Sequence, residues 1–524
     1  MEAPRDGASA APRLEAAVFD LDGVVTLTAH VHRAAWKEMF DQFLAARPRA
    51  AGEDHRPFTE ADYLAHVDGR PRSDGVRAFL ASRGITLPEG APDDPPGAET
   101  VQGLARRKDE RFLALVERSG VEVDHGAVRF ARDLRAAGVR VGLASSSRNA
   151  GLLLRRAGLA SLFEARVDGV VSADLRLRGK PAPDIFAECA RRLGVTDLAR
   201  ALVIEDASSG VAAARAGGFG LVIGVDRGGN WLRLREAGAD WIVRGGDELT
   251  VAGAQALVAG RERARPNALV AWPEIAGELR GRSLVVFLDY DGTLVPIAPR
   301  PEQAVLDDAT REVLRRLSRA WPTHIISGRG LEDVRGLVGI DSLWVAASHG
   351  FDIDPPPGVA GGLKPAAELE PEIHRAAGEL RQVAAAIPGA LVEDKRFSIA
   401  VHFRLVEPAR VPELEHAVDQ AIARGAGLKR TRGKMVLQIE PDIDWDKGRA
   451  LRWLIHATGA SGSCPIFIGD DFTDEPALAA VADDGVGVLV TELPRPTAAR
   501  YSLQNPLEVR ILLERLAAHR PEGH

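Results

Sequence analysis

The chain has 524 residues, 45% hydrophobic and 27% charged, with a formal net charge of −7 at pH 7; such a length suggests about three or four compact units. Its charges are spread without long blocks of one sign, which speaks against nucleic acid or an anionic membrane surface as a partner. Two distant cysteines, Cys189 and Cys464, fit neither a disulfide framework nor a zinc site; with no apolar stretch of signal-peptide or bilayer-spanning length, they point to a reduced, cytoplasmic setting.

The first dozen residues are expected to be disordered. A short apolar run, "AAVFD", then ends at Asp20, with Asp22 and Gly23 just beyond. "RVGLAS" ends at Ser145, "GKPAPDIF" carries Lys180, "ALVIED" ends at Glu205 and Asp206, and "GLVIGV" follows. Near 250–268 the pattern fades into a linker or connecting helix, placing a boundary near 262. It restarts with "LVVFLD", ending at Asp289 before Asp291 and Gly292. "THIISG" delivers Ser327, "DPPPGVAGG" reads as an exposed loop, and "DWDKG" carries Lys447. "PIFIGD" ends at Asp470 and Asp471, and "VGVLV" follows. Capped helical patterns such as "TREVLRRLSRAW" lie between the strands, so the fold class expected is α/β with parallel sheets.

The four features recur in the same order, so the chain contains an internal repeat. From Asp20 to Ser145 is 125 residues, and from Asp289 to Ser327 only 38. From Ser145 to Lys180 is 35, and from Ser327 to Lys447 is 120. Two similar cores therefore carry one large insertion each, at different places.

Acids at the carboxyl ends of parallel strands face the crevice where such folds bind ligands. Alone they repel each other and any anion. Mg²⁺ resolves this, because it accepts carboxylate, water and phosphate oxygens together. A Ser hydroxyl and a Lys ammonium suit the remaining phosphate oxygens. The set fits phosphoryl transfer to an aspartate, with Asp289 as nucleophile and Asp291 as acid and base. Singly, each feature has an ordinary explanation: a turn, a helix cap, a surface lysine. Repeated in order, those explanations lose force. An EF-hand reading of "DLDGVV" fails for want of further oxygen ligands at fixed positions.

Both halves resemble the haloacid dehalogenase superfamily, which implies two Rossmann-like cores, a helical cap at about 31–128 and an α/β cap at about 352–440. The second half, about 269–520, resembles the trehalose-6-phosphate phosphatase family through "FLDYDGTLVPI", "IISGR", "SHGFDI", "VHFR", "RGKMVLQIEP", "DWDKG" and "IGDDFTDE". The resemblance implies that Ser327, Arg329 and Lys447 hold phosphate. It implies a Mg²⁺ site from Asp289, Asp291 and Asp470, supported by Asp474, and substrate contacts from Lys434, Arg404 and Gln438 in the cap. Gln438 stands where many relatives have Glu, so it hydrogen-bonds a sugar hydroxyl without charge.

The first half, about 14–250, resembles β-phosphoglucomutase-like proteins through "FDLDGVVTLTAHVHRAAWK", "GRPRSDGV", "GLASSSRN", "GKPAPDIF" and "IEDASSG". This implies Asp20 as nucleophile and Asp22 as acid and base, with Ser145 and Lys180 on phosphate. It implies metal ligation by Asp20, Asp22, Glu205 and Asp206, with His32 and Thr28 near Asp22. Arg72, helped by Ser147 and Asn149, would hold a second phosphate. Leu27 and Asp68 depart from the mutase pattern, which has Asp and Lys there. The expected activity is Mg²⁺-dependent dephosphorylation of trehalose 6-phosphate, joined to a second sugar-phosphate phosphotransferase. Three alternatives stay open: a plain phosphatase or a non-catalytic module in the first half, or another sugar phosphate for the whole chain. The expected partners are small-molecule sugar phosphates; the sequence leaves the oligomeric state open.

Overall fold

The strands that begin each core are continuous apolar runs because both faces of a parallel sheet are covered. In β1 (Ala16–Phe19), Ala17 and Phe19 enter one hydrophobic cluster and Ala16 and Val18 the opposite one, as a two-residue side-chain period requires. The structure, a computed structural model, describes residues 13–519 apart from 49, 299, 434 and 435. The N-terminal dozen, expected to be disordered, and Lys434 thus lie outside the described residues.

The first sheet comprises β1, β2 (Arg140–Ala144), β3 (Ala165–Val167), β4 (Ala201–Glu205), β5 (Leu221–Val225) and β6 (Trp241–Val243). It is parallel throughout, in the order β3-β2-β1-β4-β5-β6. The strand order reverses at β1, so the crevice beyond β1 and β4 is the expected ligand site. Between β1 and β2 lies a helical insert from Ala29 to Ser119, with its own core of Trp36, Phe40, Phe58 and Phe79. The helix His125–Ala136 is not part of that insert: it packs on β2, the turn Gly246–Glu248 and the helix Val251–Ala259 of the core, with Val128, Phe130, Ala131 and Leu134 in the sheet's own cluster. The cap therefore ends before the expected 128.

The second sheet comprises β7 (Leu284–Leu288), β8 (Thr323–Ile326), β9 (Trp344–Ala347), β10 (Asp352–Asp354), β15 (Cys464–Gly469), β16 (Val486–Val490) and β17 (Tyr501–Leu503). Its order is β10-β9-β8-β7-β15-β16-β17, with only β10 antiparallel to its neighbour among the described residues. The intervening insert is a four-stranded antiparallel sheet, with β11 (Leu391–Asp394), β12 (Ile399–His402), β13 (Leu428–Gly433) and β14 (Val436–Pro441) in the order β11-β12-β14-β13. Helices Glu370–Ala384 and Val411–Arg424 pack against it through Ile373, Leu380, Leu414 and Val418. Since β10 pairs in the core sheet, this cap begins after the expected 352.

The chain divides into two compact units at Glu262 and Arg263, each a core with its insert, fewer than its length suggests. Within the expected linker, 251–268, the helix Val251–Ala259 buries Ala254, Leu257 and Val258 in the first core, so that unit extends past residue 250. Both cysteines are free and buried. No described helix is long and apolar enough to cross a membrane.

His324 in β8 is buried beside Phe287, ring centroids 5.1 Å apart, and neither ring nitrogen has a hydrogen-bond partner among the described residues. Burial lowers its pKa from 6.5 to about 4. The unfolded chain therefore binds the extra proton between those values, and stability falls as pH drops through that window. His324→Leu is expected to flatten this loss, about 1.4 kcal/mol per pH unit at most. Melting temperatures from pH 7.5 to 4.5 check it; an unchanged slope in the variant assigns the acid sensitivity elsewhere.

Candidate active sites

In the second unit β7 delivers Asp289, 5% exposed, to the crevice beside β15. Lys447, the first residue of helix Lys447–Ala457, donates to Asp289 Oδ1 at 2.8 Å and to Asp474 Oδ1 at 2.6 Å. The other Asp474 oxygen accepts from the backbone N–H of Asp470 and of Asp471, each at 3.0 Å. Asp289, Asp470 and Asp474 can place oxygens within 4.8 Å of one another, the span of a cation site. Ser327 is buried at the end of β8, its Oγ accepting from Arg329 N–H. Asp291 lines the same cavity as Asp289 but stands outside the cluster: Arg329 grips it through Nε at 2.7 Å and Nη2 at 2.8 Å, and also pairs with Asp333.

The first unit repeats the pattern. Lys180 donates to Asp20 Oδ1 at 2.6 Å and Glu205 Oε2 at 2.9 Å, and Asp20, Glu205 and Asp206 form the corresponding cluster. Ser145 is buried at the end of β2. Asp22 lines the same cavity as Asp20 but stands outside the cluster, accepting from Thr28 at 2.5 Å and pairing with His32 Nε2 at 3.1 Å. Behind it, His32 Nδ1 meets Lys108 Nζ at 2.5 Å, and its ring stacks on Phe112.

The clusters concentrate more negative charge than one ammonium balances. Burial, with neighbouring carboxylates, raises Asp20, Glu205 and Asp206 in one unit and Asp289 and Asp470 in the other, Asp289 to about 8 and Asp470 to about 9. Burial opposes the charge on both lysines, but their paired acids overcome it and hold them ionised. Burial also pushes Asp22 upward, yet His32 and Thr28 keep it below the usual range.

Position 205 is equivalent to 469, because Phe19 pairs with Ile204 as Leu288 pairs with Ile468. The first unit has Glu205 there and Gly210 five residues on; the second has Gly469 and then Asp474. A Cβ on Gly210 would lie 2.1 Å from the Glu205 carboxyl carbon, and one on Gly469 2.5 Å from that of Asp474. Acid and glycine have exchanged places around one lysine.

A family model described as trehalose-phosphatase matches residues 287–506, and one described as haloacid dehalogenase-like hydrolase matches 14–218. The trehalose-phosphate phosphatase of Mycobacterium tuberculosis is 40% identical over 340 residues, 64% of this chain and 85% of that protein. The chain belongs to the trehalose-phosphate phosphatase family. A second M. tuberculosis protein, named an uncharacterized glycosyl hydrolase, is 41% identical over 517 residues, 97% of this chain; the chain spans only 38% of its length. A solved β-phosphoglucomutase from Clostridium difficile aligns over 46% of this chain and 96% of its own at 25% identity, with a TM-score of 0.37.

In this member of the trehalose-phosphate phosphatase family, the expected site residues are placed as follows. The carboxylates of Asp22 and Asp291 lie outside the acidic clusters, drawn off by His32 and Arg329. Arg329 is committed to Asp291 and Asp333 rather than free for phosphate. Asp471 caps the turn Phe472–Asp474, so Asp470 alone of that pair joins the cluster. Gln438 and Arg404 line cavities beside the second cluster. His32, Arg72, Ser147 and Asn149 line the first, where Ser147 Oγ accepts from Asn149 N–H. The sequence reading missed Lys108 and Asp109 in the first cavity, and His349 and Lys395 in the second. Only His349 carried a signal, in "SHGFDI"; it is buried with a positive φ of 59°, its Nε2 lies 3.6 Å from Glu440 Oε1, and neither ring nitrogen has a hydrogen bond among the described residues.

Asp474→Ala leaves the buried Lys447 ammonium with Asp289 alone and two backbone amides without their acceptor, and is expected to cost roughly 3–5 kcal/mol. Asp474→Asn, which can still accept from the amides, is expected to cost about 1–3 kcal/mol. Urea unfolding at neutral pH separates the two; equal losses would mean that the turn does not depend on this carboxyl. Lys447→Ala is expected to destabilise as strongly as Asp474→Ala, since it leaves Asp289 and Asp474 buried without their cation.

Proposed function

We propose that the second unit hydrolyses trehalose 6-phosphate to trehalose and phosphate through an aspartyl-phosphate on Asp289. The observation that carries this is the strand-end triangle of Asp289, Lys447 and Asp474, beside a cavity of about 160 Å³ lined by Lys447, Asp470 and Gln438. A neighbouring cavity of about 550 Å³ shares Asp291, Lys395, His402 and Arg404 with it, offering room for a sugar.

The acidic clusters suit Mg²⁺. Glycine beside each leaves space that a side chain would fill: a Cβ on Gly292 would lie 2.1 Å from Asp470 Oδ2, and one on Gly23 1.7 Å from Asp206 Oδ2. Glu205 Oε1 is buried without a hydrogen-bond partner among the described residues. Asp289, Asp470 and Asp474 would hold the ion in the second unit, and Asp20, Glu205 and Asp206 in the first. Bound there, Mg²⁺ offsets the charge of carboxylate and phosphate and polarises the phosphoryl oxygens.

The chain's own groups do the rest. An Asp289 oxygen attacks phosphorus as the bond to the sugar oxygen breaks, and Asp291 gives that oxygen a proton. Water then attacks phosphorus, yields a proton to Asp291, and frees Asp289 with orthophosphate. Arg329 donates two N–H groups to the Asp291 carboxyl, so reaching the sugar oxygen requires Asp291 to turn off the guanidinium. Ser327 and Lys447 bind phosphate oxygens; Gln438 and Arg404 meet the sugar. The first unit acts as a second aspartate-based phosphotransferase on a sugar phosphate, with Asp20 as nucleophile and Asp22 as acid and base. The free thiols suit a cytoplasmic setting.

Phosphate release from trehalose 6-phosphate is expected to fall at least about a thousandfold in Asp289→Asn, and to survive in Asp20→Asn. EDTA is expected to abolish release by both units. Wild-type inertness towards trehalose 6-phosphate, beside good turnover of another ester, would reassign the sugar. Full activity in EDTA would remove the metal.

A further inference from the structure

Arg72 opens the helix Arg72–Ser82 of the first unit's insert, and Asn149 precedes the core helix Ala150–Arg156. Both reach one oxygen. Asp109 Oδ1 lies 2.6 Å from the Arg72 guanidinium and accepts from Asn149 Nδ2 at 2.7 Å. Asp109 stands on helix Val101–Ser119 and faces the cavity that also holds Asp20 and Lys180. An arginine and an amide converging on one point make a site for an oxyanion. Here the chain supplies that oxyanion itself.

We infer that Asp109 is an internal anion filling the far subsite of the first unit's pocket, so that this unit takes phosphate monoesters whose other end is uncharged, such as sugar or polyol monophosphates, and rejects esters bearing a second phosphate or a carboxylate. The inference rests on reading the first unit as an aspartate-based phosphotransferase, and narrows its substrates.

A second observation points the same way. Asp68 in the cap loop lines the same cavity. The loop is seated on the core: Ser209 Oγ donates to Asp68 C=O at 2.9 Å and Ser146 Oγ to Gly69 C=O at 3.0 Å. Across the whole lining, acidic side chains outnumber lysines and arginines six to four. A single phosphate with its divalent cation is tolerable in such a pocket. A second phosphate would meet Asp109 in its own place and Asp68 nearby, and like charges at that range in a partly buried site cost more than they do in water. A catalytic cycle that holds a bisphosphate here does not fit the pocket.

The test uses the full chain with the second site silenced by Asp289→Asn. Asp20-dependent turnover is measured on glucose 6-phosphate, glucose 1-phosphate, glucose 1,6-bisphosphate and 6-phosphogluconate. The expected result is a kcat/KM at least tenfold higher for the better monophosphate than for the bisphosphate or the acid. Asp109→Asn, nearly isosteric, is expected to raise the bisphosphate-to-monophosphate ratio at least tenfold by freeing Arg72 and Asn149. A parent chain that prefers the bisphosphate overturns the inference; so does a ratio that Asp109→Asn leaves unchanged. If no ester is turned over, the catalytic reading of the first unit fails. Calorimetric binding of the same esters to the parent chain and to its Asp109→Asn variant then decides the inference by the same tenfold criterion.

Discussion

Lys180 and Lys447 each hold an ammonium, 3% exposed, between the aspartate that ends the central strand and a second carboxylate. A charge that deep persists only when paired and hydrogen-bonded. The lysine therefore needs both acids, and the acids need the lysine. The third carboxylate, Asp206 or Asp470, leaves each cluster short of positive charge, and a divalent cation with a phosphate can settle that imbalance. The strand order serves this arrangement, because only at β1 and β7, where the order reverses, do crossovers leave in both directions and open a crevice between them.

Around this shared centre the two units diverge. Asp22 leans on Thr28 and on His32, which is backed by Lys108; burial lowers that lysine to about 7. Asp291 leans on the guanidinium of Arg329, which does not lose its proton at any working pH. One support can titrate and the other cannot, so the second aspartates of the two units sit in different proton environments despite identical spacing from the first.

Much of this was legible in the sequence, for physical reasons. Strand ends rich in acid are costly, and two of them in the same order left few explanations. The exchange of the 125- and 120-residue spacings located both inserts. The margins were missed because an insert's last helix and a core's next helix share one amphipathic pattern: His125–Ala136 reads like the cap but packs with the sheet. Lys108 and Asp109 were invisible because charged residues on a helix normally face water; here the helix Val101–Ser119 turns that edge toward the pocket. The pairing of Glu205 and Asp206 with Asp470 and Asp471 matched letters rather than space. The bridging acid of the second unit is Asp474, from the turn that follows.

That exchange of acid and glycine constrains how one arrangement can become the other. Each lysine needs one carboxyl in a space that holds only one. A chain passing from Glu at the strand end with Gly five residues on, to Gly at the strand end with Asp five residues on, must change both positions. Changing the strand end first leaves the ammonium with a single partner; changing the turn first drives two carboxyls into one volume. Either intermediate is worse than both ends, so the two solutions are separated by a valley. The two halves of this chain stand on opposite sides of that valley.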